Sequence, residues 1–317
     1  MAYPQVSIII PLYNKAPYIK KALDSVCAQL FTDWECIIMD DGSTDDSATI
    51  AAQWISQQEE TIRKRFRLLH QANAGVAAAR NNAVSVCYGD KIAFLDADDW
   101  WDSAFLQEML IFSNQYPDAG IWGCNYYTVK NNKPKVVLEG ISTGYIPYYK
   151  TYYEQQAMPL WTGAVVLQRH FFEAAERFNP QLRMAEDFDL WVRMAMIAPV
   201  AFLNKPLAYY NQDVQVRWRA IGKLYPPTYH FAFQADYLST HYKQYPYLQQ
   251  VVEMVQIVCL RQYYLSHTYY QEAREQLKKI NIEKYRDSDF AQYLWQPRIK
   301  NRLIMSFVHY LNIFRNI

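Results

Sequence analysis

Short β-rich runs alternate with helical runs over the first hundred residues, and no other feature of the sequence constrains the fold as strongly. Such alternation predicts a parallel sheet covered by helices. The β-rich runs predict four strands, at residues 6–12, 35–40, 67–70 and 91–95. Apolar residues at three- and four-residue spacing predict the intervening helices, at residues 17–29, 45–58 and 75–87. The first helix is expected to bury Ile19, Leu23, Val26 and Leu30.

The pattern is looser between residues 100 and 216. The elements predicted there are strands near 121–129 and 165–168 and helices near 149–156 and 187–197. We predict one domain over residues 1–216, with halves at 1–100 and 101–216, and a region of Tyr- and Leu-rich helices over 217–317, including helices at 247–265 and 272–280. The expected fold class is α/β: a Rossmann-type, mostly parallel sheet flanked by helices, with a C-terminal helical extension.

Composition and charge exclude several classes of function. The 32 basic side chains balance 31 acidic ones, so the chain offers no broad positive field for nucleic acid. Its five cysteines lie far apart, which argues against a zinc site and fits reduced thiols in a cytoplasmic protein. The apolar run at residues 6–12 is far shorter than the roughly 18 residues of a membrane span, and no later window reaches that length without charge. We therefore expect neither a signal peptide nor an integral membrane protein.

Several catalytic motifs are missing. No GxGxxG follows the first predicted strand, and no GxxxxGK[ST] occurs, which weakens the case for a dinucleotide oxidoreductase or a P-loop enzyme. The six histidines are scattered without an HExxH pattern, and there is no GxSxG. The sequence therefore gives no support for a zinc protease or a serine hydrolase.

Acidic and polar residues follow the predicted strands, at the edge where parallel α/β sheets bind ligands. The second strand leads into Asp40 and Asp41 and then a Gly-Ser-Thr turn. A carboxylate at this place can accept a hydrogen bond from the imide N–H of uracil. An ordinary turn with a helix N-cap explains the same residues equally well.

Three acids, Asp96, Asp98 and Asp99, follow the fourth predicted strand. In an extended chain Asp96 and Asp98 point to the same side, and their carboxylates repel each other unless a cation lies between them. Mg²⁺ or Mn²⁺ suits such a site, because these ions take one or two carboxylates and complete their coordination with water and phosphate oxygens. Capping of a helix that begins near Asp102 is the alternative, and it explains one acid but not three.

Two further groups have both a functional and a structural interpretation. Arg80 lies on an Ala-rich predicted helix, where it can pair with a phosphate or with one of the acids, or simply face solvent. Glu186 and Asp187 open another predicted helix. The helix dipole alone favours acids in a first turn, and the functional interpretation makes one of them a general base.

Taken together and in order, these segments resemble the family 2 inverting glycosyltransferases with a GT-A fold. The resemblance covers roughly residues 4 to 215, and an ordered set of this kind is more specific than any single motif. The matching segments are Val6-Ser7-Ile8-Ile9-Ile10-Pro11-Leu12-Tyr13-Asn14, Asp40-Asp41-Gly42-Ser43-Thr44-Asp45, Gly75 to Asn81, Asp96-Ala97-Asp98-Asp99 and Glu186-Asp187.

The resemblance implies a role for each matching position. In the nucleotide-binding half, Pro11 and Tyr13 line the nucleotide pocket, Asp41 or alternatively Asp40 binds the uracil edge, and Arg80 approaches the nucleotide. Asp96 contacts the ribose or the metal, Asp98 is the main ligand of Mn²⁺ or Mg²⁺, and Asp99 supports it or faces the sugar. In the acceptor half, Asp187 of the Glu186-Asp187 pair is the catalytic base.

The implied reaction is the inverting, metal-dependent transfer of a hexosyl or N-acetylhexosaminyl group. The donor is a nucleotide-sugar, expected to be a UDP-sugar, and the acceptor is a saccharide or a lipid-linked saccharide in surface glycan synthesis. The Gln-x-x-Arg-Trp pattern of processive members is absent, although Gln215-Val216-Arg217-Trp218 comes within one residue of it, so we expect transfer of one sugar. The alternatives are a sugar-nucleotide pyrophosphorylase and a nucleotide-sugar-binding protein without turnover.

The tail at residues 298–317 combines basic residues with a largely apolar sequence. Such a segment fits a helix packed on the catalytic domain or on a partner in a homodimer. It also fits peripheral contact with the inner face of the membrane, where its basic side chains meet anionic headgroups.

Overall fold

In the computed structural model, residues 3–214 and 223–295 are described, and the chain divides into two compact units, Met1–Val214 and Gln215–Ile317. The first half of the first unit alternates strands and helices along the chain. Its elements are β1 (Val6–Leu12), α1 (Ile19–Cys27), β2 (Trp34–Asp40), α2 (Ser47–Ser56), α3 (Glu60–Arg63), β3 (Phe66–His70), α4 (Val76–Val86) and β4 (Lys91–Phe94).

These early elements confirm the predicted alternation. All seven residues of β1 are buried, as expected for a strand of a parallel sheet that is covered on both faces. Helix α1 buries Ile19, Leu23 and Val26, but the prediction for Leu30 was wrong. The helix ends at Cys27, and Leu30 lies beyond it with 61% of its surface exposed.

The rest of the first unit contains more regular structure than the sequence indicated. Its elements are β5 (Trp100–Trp101), α5 (Phe105–Gln115), β6 (Ile121–Lys130), β7 (Lys133–Val136), β8 (Gly144–Ile146), α6 (Tyr148–Gln155), β9 (Val165–Gln168), α7 (Arg169–Ala174), α8 (Glu186–Ile197) and β10 (Val200–Asn211). Strands β6 and β9 and helices α6 and α8 were predicted. Strand β10 was not, because Asn204, Lys205 and Pro206 interrupt its apolar sequence where the register with β6 shifts.

The strands form one mixed sheet, in the order β3-β2-β1-β4-β9-β6-β10-β5. The four early strands are mutually parallel, β9 is antiparallel to both of its neighbours, and β10 is parallel to β6. Strands β7 and β8 pair with β6 and β10. Because β1 to β4 run the same way, the residues that follow them meet at one edge of the sheet.

The second unit is helical in its described part. It contains α9 (Phe231–Gln234), α10 (Leu248–Leu265) and α11 (Tyr270–Lys278), together with short 3₁₀ turns. Helices α10 and α11 confirm the predictions at 247–265 and 272–280. None of the helices within residues 3–214 and 223–295 combines the length and the apolar character that a membrane crossing requires. The Gln215–Trp218 segment and the tail at 298–317 lie outside the described residues.

Candidate active site

The loops that follow β1 and β2 are joined by the side chain of Asn14. Asn14 has a positive φ of 52°, and its Oδ1 accepts hydrogen bonds from the backbone N–H groups of Thr44, at 2.8 Å, and Asp45, at 3.3 Å. In return, its own N–H donates to Ser43 Oγ at 3.1 Å. The first two strand ends therefore present a single connected surface.

The carboxylate of Asp41 organises the loop that follows β3. Its Oδ1 accepts hydrogen bonds from Gln71 Nε2, at 2.7 Å, and from the N–H of Ala74, at 2.8 Å. Its Oδ2 accepts one from the N–H of Gly75, also at 2.8 Å. Asp41 is only 3% exposed. Since a carboxylate oxygen offers two acceptor positions, Oδ2 keeps one position beyond these contacts.

Asp40 lies at the end of β2 and is also held by neighbours. Its Oδ1 accepts a hydrogen bond from the N–H of Ser43 at 3.2 Å, and its Oδ2 lies 3.1 Å from Nδ1 of the exposed His70. Pro11 is buried within β1, whereas 43% of the Tyr13 surface is exposed at the edge of the sheet. Of this predicted pair, Tyr13 is the residue that a ligand at the edge can reach.

Neither Asp40 nor Asp41 caps the following helix. The N-cap residue of α2 is Asp46, whose side chain makes no capping hydrogen bond, and the preceding Asp45 accepts a hydrogen bond at Oδ1 from the N–H of Ser47 at 3.0 Å. Similarly, Asp102 accepts a hydrogen bond from the N–H of Ala104 at 2.9 Å, just before α5 begins. None of the acids singled out after β2 and β4 therefore caps a helix, but the turn that the alternative interpretation expected after β2 is present, because Asp40 accepts the hydrogen bond of the Ser43 N–H.

The acids after β4 form a turn and not the extended segment that the sequence analysis assumed. The N–H of Asp99 donates to the carbonyl oxygen of Asp96 at 3.0 Å, which closes the turn. The carboxylates of Asp96 and Asp98 each pair with a cation, and the two cations are different. Asp96 Oδ1 lies 2.7 Å from Arg80 Nη2, and Asp98 Oδ2 lies 2.5 Å from Lys15 Nζ.

Asp99 contacts the other half of the domain. It is 3% exposed, and its Oδ1 accepts a hydrogen bond from the N–H of Asn211, the last residue of β10, at 2.8 Å. Burial raises the pKa of Asp99 well above its ordinary range, and Asp98 and Asp96 add to the effect. Asp99 therefore connects the acid turn to the end of β10.

Asp98 can coordinate a divalent cation whose remaining ligands are water and the phosphate oxygens of a bound molecule. Within residues 3–214 and 223–295, no three His, Cys, Asp or Glu side chains converge into a complete metal site. Mg²⁺ needs no such cage, because it usually keeps one or two carboxylates and takes the rest of its ligands from water and phosphate. The Asp98 side chain is 17% exposed beside that of Asp96, which is 26% exposed, so both are accessible from the edge.

Arg80 is the centre of the site. It projects from α4, is only 3% exposed, and bridges Asp96 to Glu186, whose Oε1 lies 3.0 Å from Arg80 Nη1. Burial alone would lower the pKa of Arg80, but Asp96 and Glu186 raise it above its ordinary value. The expected pairing of Arg80 with an acid is confirmed, and the solvent-facing alternative is wrong.

Glu186 and Asp187 form the first turn of α8, directly after Ala185, which has a positive φ of 58°. Asp187 Oδ2 accepts a hydrogen bond from Thr162 Oγ1 at 3.1 Å, and its Oδ1 accepts one from the N–H of Phe188 at 2.7 Å. Two donors and the nearby guanidinium group of Arg80 therefore stabilise its charged form.

The pKa values of these two acids are shifted in the direction that suits proton transfer near neutral pH. Burial raises the pKa of Glu186 to about 7, and the neighbouring Asp187 adds to the effect while Arg80 opposes it. Burial also raises the pKa of Asp187, against the opposing effects of Arg80, the Phe188 N–H and Thr162. A buried acid with a raised pKa beside a cation is a common feature of catalytic sites.

Three residues of the site were not predicted from the sequence. Lys15 follows Tyr13 and Asn14, and a basic residue at a strand end was a signal that could have been used. Thr162 lies in a buried 3₁₀ turn and gives no local signal. Arg183 packs its guanidinium group over Gly75, where an added Cβ would lie 1.7 Å from Arg183 Nη1.

Comparison of the sequence with known proteins identifies its relatives. The family described as Glycosyl transferase family 2 matches residues 7–174, which is more than half of the chain. The uncharacterized glycosyltransferase EpsJ of Bacillus subtilis is 31% identical over 191 residues, which cover 58% of this chain and 54% of EpsJ. Chondroitin synthase of Escherichia coli is 32% identical over 224 residues, which cover 70% of this chain and 30% of that enzyme. The chain thus spans about half of one relative and less than a third of the other.

Solved structures share the fold at low sequence identity. The first 349 residues of S. aureus TarS in complex with UDP-GlcNAc align with a TM-score of 0.62 and 16% identity, over 91% of this chain and 75% of that one. A mannosyltransferase from Pyrobaculum calidifontis in complex with GDP-Man and Mn²⁺ aligns with a TM-score of 0.55 and 17% identity, over 97% of this chain and 85% of that one. These neighbours confirm the expected GT-A type of α/β fold, and the matched family confirms the resemblance: this chain belongs to glycosyl transferase family 2.

Proposed function

We propose that this chain transfers one sugar from a UDP-sugar to a saccharide or lipid-linked saccharide acceptor, with inversion at the anomeric carbon and with Mg²⁺ or Mn²⁺ bound. The observation that carries the proposal is the bridge from Asp96 through Arg80 to Glu186. It connects the acids on the donor side of the sheet to the helix that carries the proposed base, Asp187. Donor and acceptor chemistry can then take place in one cluster.

The nucleotide binds at the edge formed by the loops after β1, β2 and β3. TarS, which shares the fold, is known in complex with UDP and with UDP-GlcNAc, and this supports a uridine nucleotide as the donor. The acceptor position left on Asp41 Oδ2 suits the imide N–H of uracil. The exposed ring of Tyr13 lies against the uracil ring. The buried residues Pro11 and Asp40 support the wall of the pocket. Arg80 acts on the nucleotide through Asp96, which it holds towards the ribose or the metal.

Asp98 is the main protein ligand of the cation in this proposal, with Asp96 beside it. Asp99 supports the turn through its hydrogen bond to the end of β10. The mannosyltransferase with the same fold, in complex with Mn²⁺, supports metal dependence. A divalent ion at this place neutralises the negative charge that develops on the departing diphosphate.

Asp187 is the proposed base for a direct displacement. It takes the proton from the acceptor hydroxyl as the oxygen forms its bond to the anomeric carbon, and the bond from that carbon to the diphosphate oxygen breaks on the opposite face. The configuration inverts, and no covalent intermediate with the protein is needed. Burial and the raised pKa of Asp187 favour proton uptake, while Thr162 orients the carboxylate.

The acceptor and the cellular setting are proposed from relatives. Chondroitin synthase builds a polysaccharide by its name, and this supports a role in glycan synthesis. A hexosyl or N-acetylhexosaminyl donor and a position on the cytoplasmic side of the membrane complete the proposal. The absence of Gln-x-x-Arg-Trp supports transfer of a single sugar.

A transfer assay with radiolabelled UDP-sugars, mixed saccharide acceptors and Mn²⁺ tests the proposal. Asp187→Asn should keep UDP binding and lower turnover by about 10²–10⁴, the contribution of a positioned general base. Asp189→Asn is the matched control, because Asp189 lies on the same helix and pairs with Arg193. Product formation that needs neither Asp187 nor a divalent ion would overturn the mechanism. UDP-sugar binding without any product would favour the non-catalytic alternative, and release of sugar-1-phosphate with UTP and pyrophosphate would favour the pyrophosphorylase.

A further inference from the structure

We propose that Lys15 is an exchangeable counter-ion of Asp98: its ammonium group holds the carboxylate in the metal-free chain, leaves it when a divalent cation binds, and then binds the diphosphate of the donor. This inference rests on the proposed function and assigns a role to a residue that the motif analysis did not select. It makes Lys15 a positioning residue for Asp98 and a binding residue for the nucleotide.

The first observation is the ion pair itself. Lys15 Nζ lies 2.5 Å from Asp98 Oδ2, so the ammonium group is in contact with the proposed metal ligand. Both side chains are partly accessible, at 16% and 17% exposure. A pair that keeps some contact with solvent can exchange partners more easily than a fully buried pair.

The two cations of the acid turn differ in their freedom to move. Arg80 is 3% exposed and is held by Asp96 on one side and Glu186 on the other, so it is fixed. Lys15 has a single charge at the end of a flexible four-carbon stem. Of these two cations, Lys15 is therefore the one that can give way to an incoming ion.

The backbone of Lys15 is fixed although its head group is accessible. Its N–H donates to Ser47 Oγ at 2.6 Å, and the next N–H, that of Ala16, donates to Asp45 Oδ2 at 3.2 Å. The exchange therefore involves only the side chain. The ammonium group stays at the carboxyl edge of the sheet, where the phosphates of the donor must also lie.

Charge balance explains where the ammonium group goes. A divalent cation at Asp98 satisfies the carboxylate and repels the ammonium group of Lys15. The same cation brings diphosphate oxygens into the site, because it uses them to complete its coordination. Lys15 thus exchanges one anionic partner for another and is paired in both states.

The proposal predicts effects of opposite sign on two ligands. In Lys15→Met, Mn²⁺ should bind about three- to tenfold more tightly without nucleotide, because its competitor is gone. At saturating Mn²⁺, the same variant should bind UDP roughly tenfold more weakly, while uridine, which lacks the diphosphate, should bind as in the wild type. A variant that merely damaged the fold would lower the affinity for Mn²⁺, UDP and uridine alike.

The experiment measures free Mn²⁺ by electron paramagnetic resonance and nucleotide binding by calorimetry on the full chain. Lys20→Met is the matched control, since Lys20 lies on α1 and pairs with Asp24. Lys15→Arg keeps the charge and should restore UDP binding to within about threefold of the wild type. This variant keeps the diphosphate effect measurable if Lys15→Met does not fold, and UDP binding no better than uridine binding in folded Lys15→Arg would then count against the proposal.

Asp98→Asn separates this inference from the proposed function. If Asp98→Asn abolishes Mn²⁺ binding but Lys15→Met changes neither Mn²⁺ nor UDP affinity, Asp98 is the metal ligand and the exchange is refuted. If Asp98→Asn leaves Mn²⁺ binding unchanged, Asp98 is not the metal ligand, and the proposed function is wrong about the metal site.

Discussion

At the scale of single residues, Gly75 shows how closely the site is packed. Its φ of 94° lies in the region that L side chains rarely adopt, and its N–H donates to Asp41. The guanidinium group of Arg183 occupies the space that a Cβ would need. Gly75 therefore serves both the loop that Asp41 organises and the segment that leads into α8.

Replacing this glycine should have a larger effect than its backbone conformation alone explains. Gly75→Ala should cost about 2–4 kcal/mol of unfolding free energy, from backbone strain together with displacement of Arg183. Gly140→Ala is the control: its φ of 72° is also positive, but an added Cβ would meet nothing within 4 Å, so only the strain of about 1–2 kcal/mol remains. Urea unfolding measures both. Equal losses in the two variants would contradict the role of Arg183.

The hydrogen bond from Thr162 to Asp187 should set the acid limb of the pH–rate profile. This bond stabilises the charged carboxylate and lowers the pKa of Asp187 against the raising effect of burial. Thr162→Val removes it, so the pKa rises further, and the base is deprotonated only at higher pH. The acid limb of kcat/KM should move up by about one pH unit.

A matched variant tests whether this shift is specific. Thr151→Val makes the same change in shape at another buried threonine, on α6, and should leave the profile in place. An unchanged limb in Thr162→Val would show that Asp187 is not the group that titrates.

At the scale of elements, Arg80 joins α4 to α8 through two carboxylates. Arg80→Met should cost about 3–5 kcal/mol, because it leaves the largely buried Glu186 and the neighbouring Asp96 without their cation. Adding Glu186→Gln removes one of these uncompensated charges and should recover part of the loss. Chemical denaturation of the two single variants and the double variant gives the coupling energy. Strictly additive losses would show that the bridge does not connect the two helices energetically.

The sequence predicted the elements whose patterns are uniform. Strands β1 and β2 are buried along their whole lengths, and each contains an uninterrupted apolar run, at residues 8–12 in β1 and 36–39 in β2. Strand β10 could not be recognised, because Asn204 and Pro206 interrupt its apolar sequence. The register of its pairing with β6 shifts at the same place. Local pattern therefore identified the early parallel strands and failed where a neighbouring strand decides the conformation.

The site was predictable to a similar degree. The acids after β2 and β4 stand out because they follow strands directly in the sequence, and parallel strands present their ends together. Their partners do not stand out: Thr162 contacts Asp187 across 25 residues, and Lys15 contacts Asp98 across 83. The assumption of an extended segment at 96–99 also failed, because the N–H of Asp99 bonds the carbonyl oxygen of Asp96 and closes a turn.

At the scale of the whole molecule, the tail at residues 298–317 is the segment for which the sequence predicts a distinct behaviour. The chain of residues 1–317 should sediment with anionic vesicles in a salt-sensitive way if the basic residues of the tail meet lipid headgroups. A chain that ends at Gln296 should stay in the supernatant, and neutral vesicles provide the control. If the 1–317 chain stays in solution at low salt, the tail packs on this chain or on a second copy.

The bridge at Arg80 also bears on the order in which the molecule assembles. Its first partner, Asp96, is 16 residues away, and its second, Glu186, is 106 residues away. Contacts between distant parts of a chain form late, and during synthesis the N-terminal residues leave the ribosome first. We expect strands β1 to β4 to fold while water still occupies the place of Glu186 beside Arg80. The nascent chain can then form the proposed nucleotide-binding edge well before the proposed general base, Asp187, is in place.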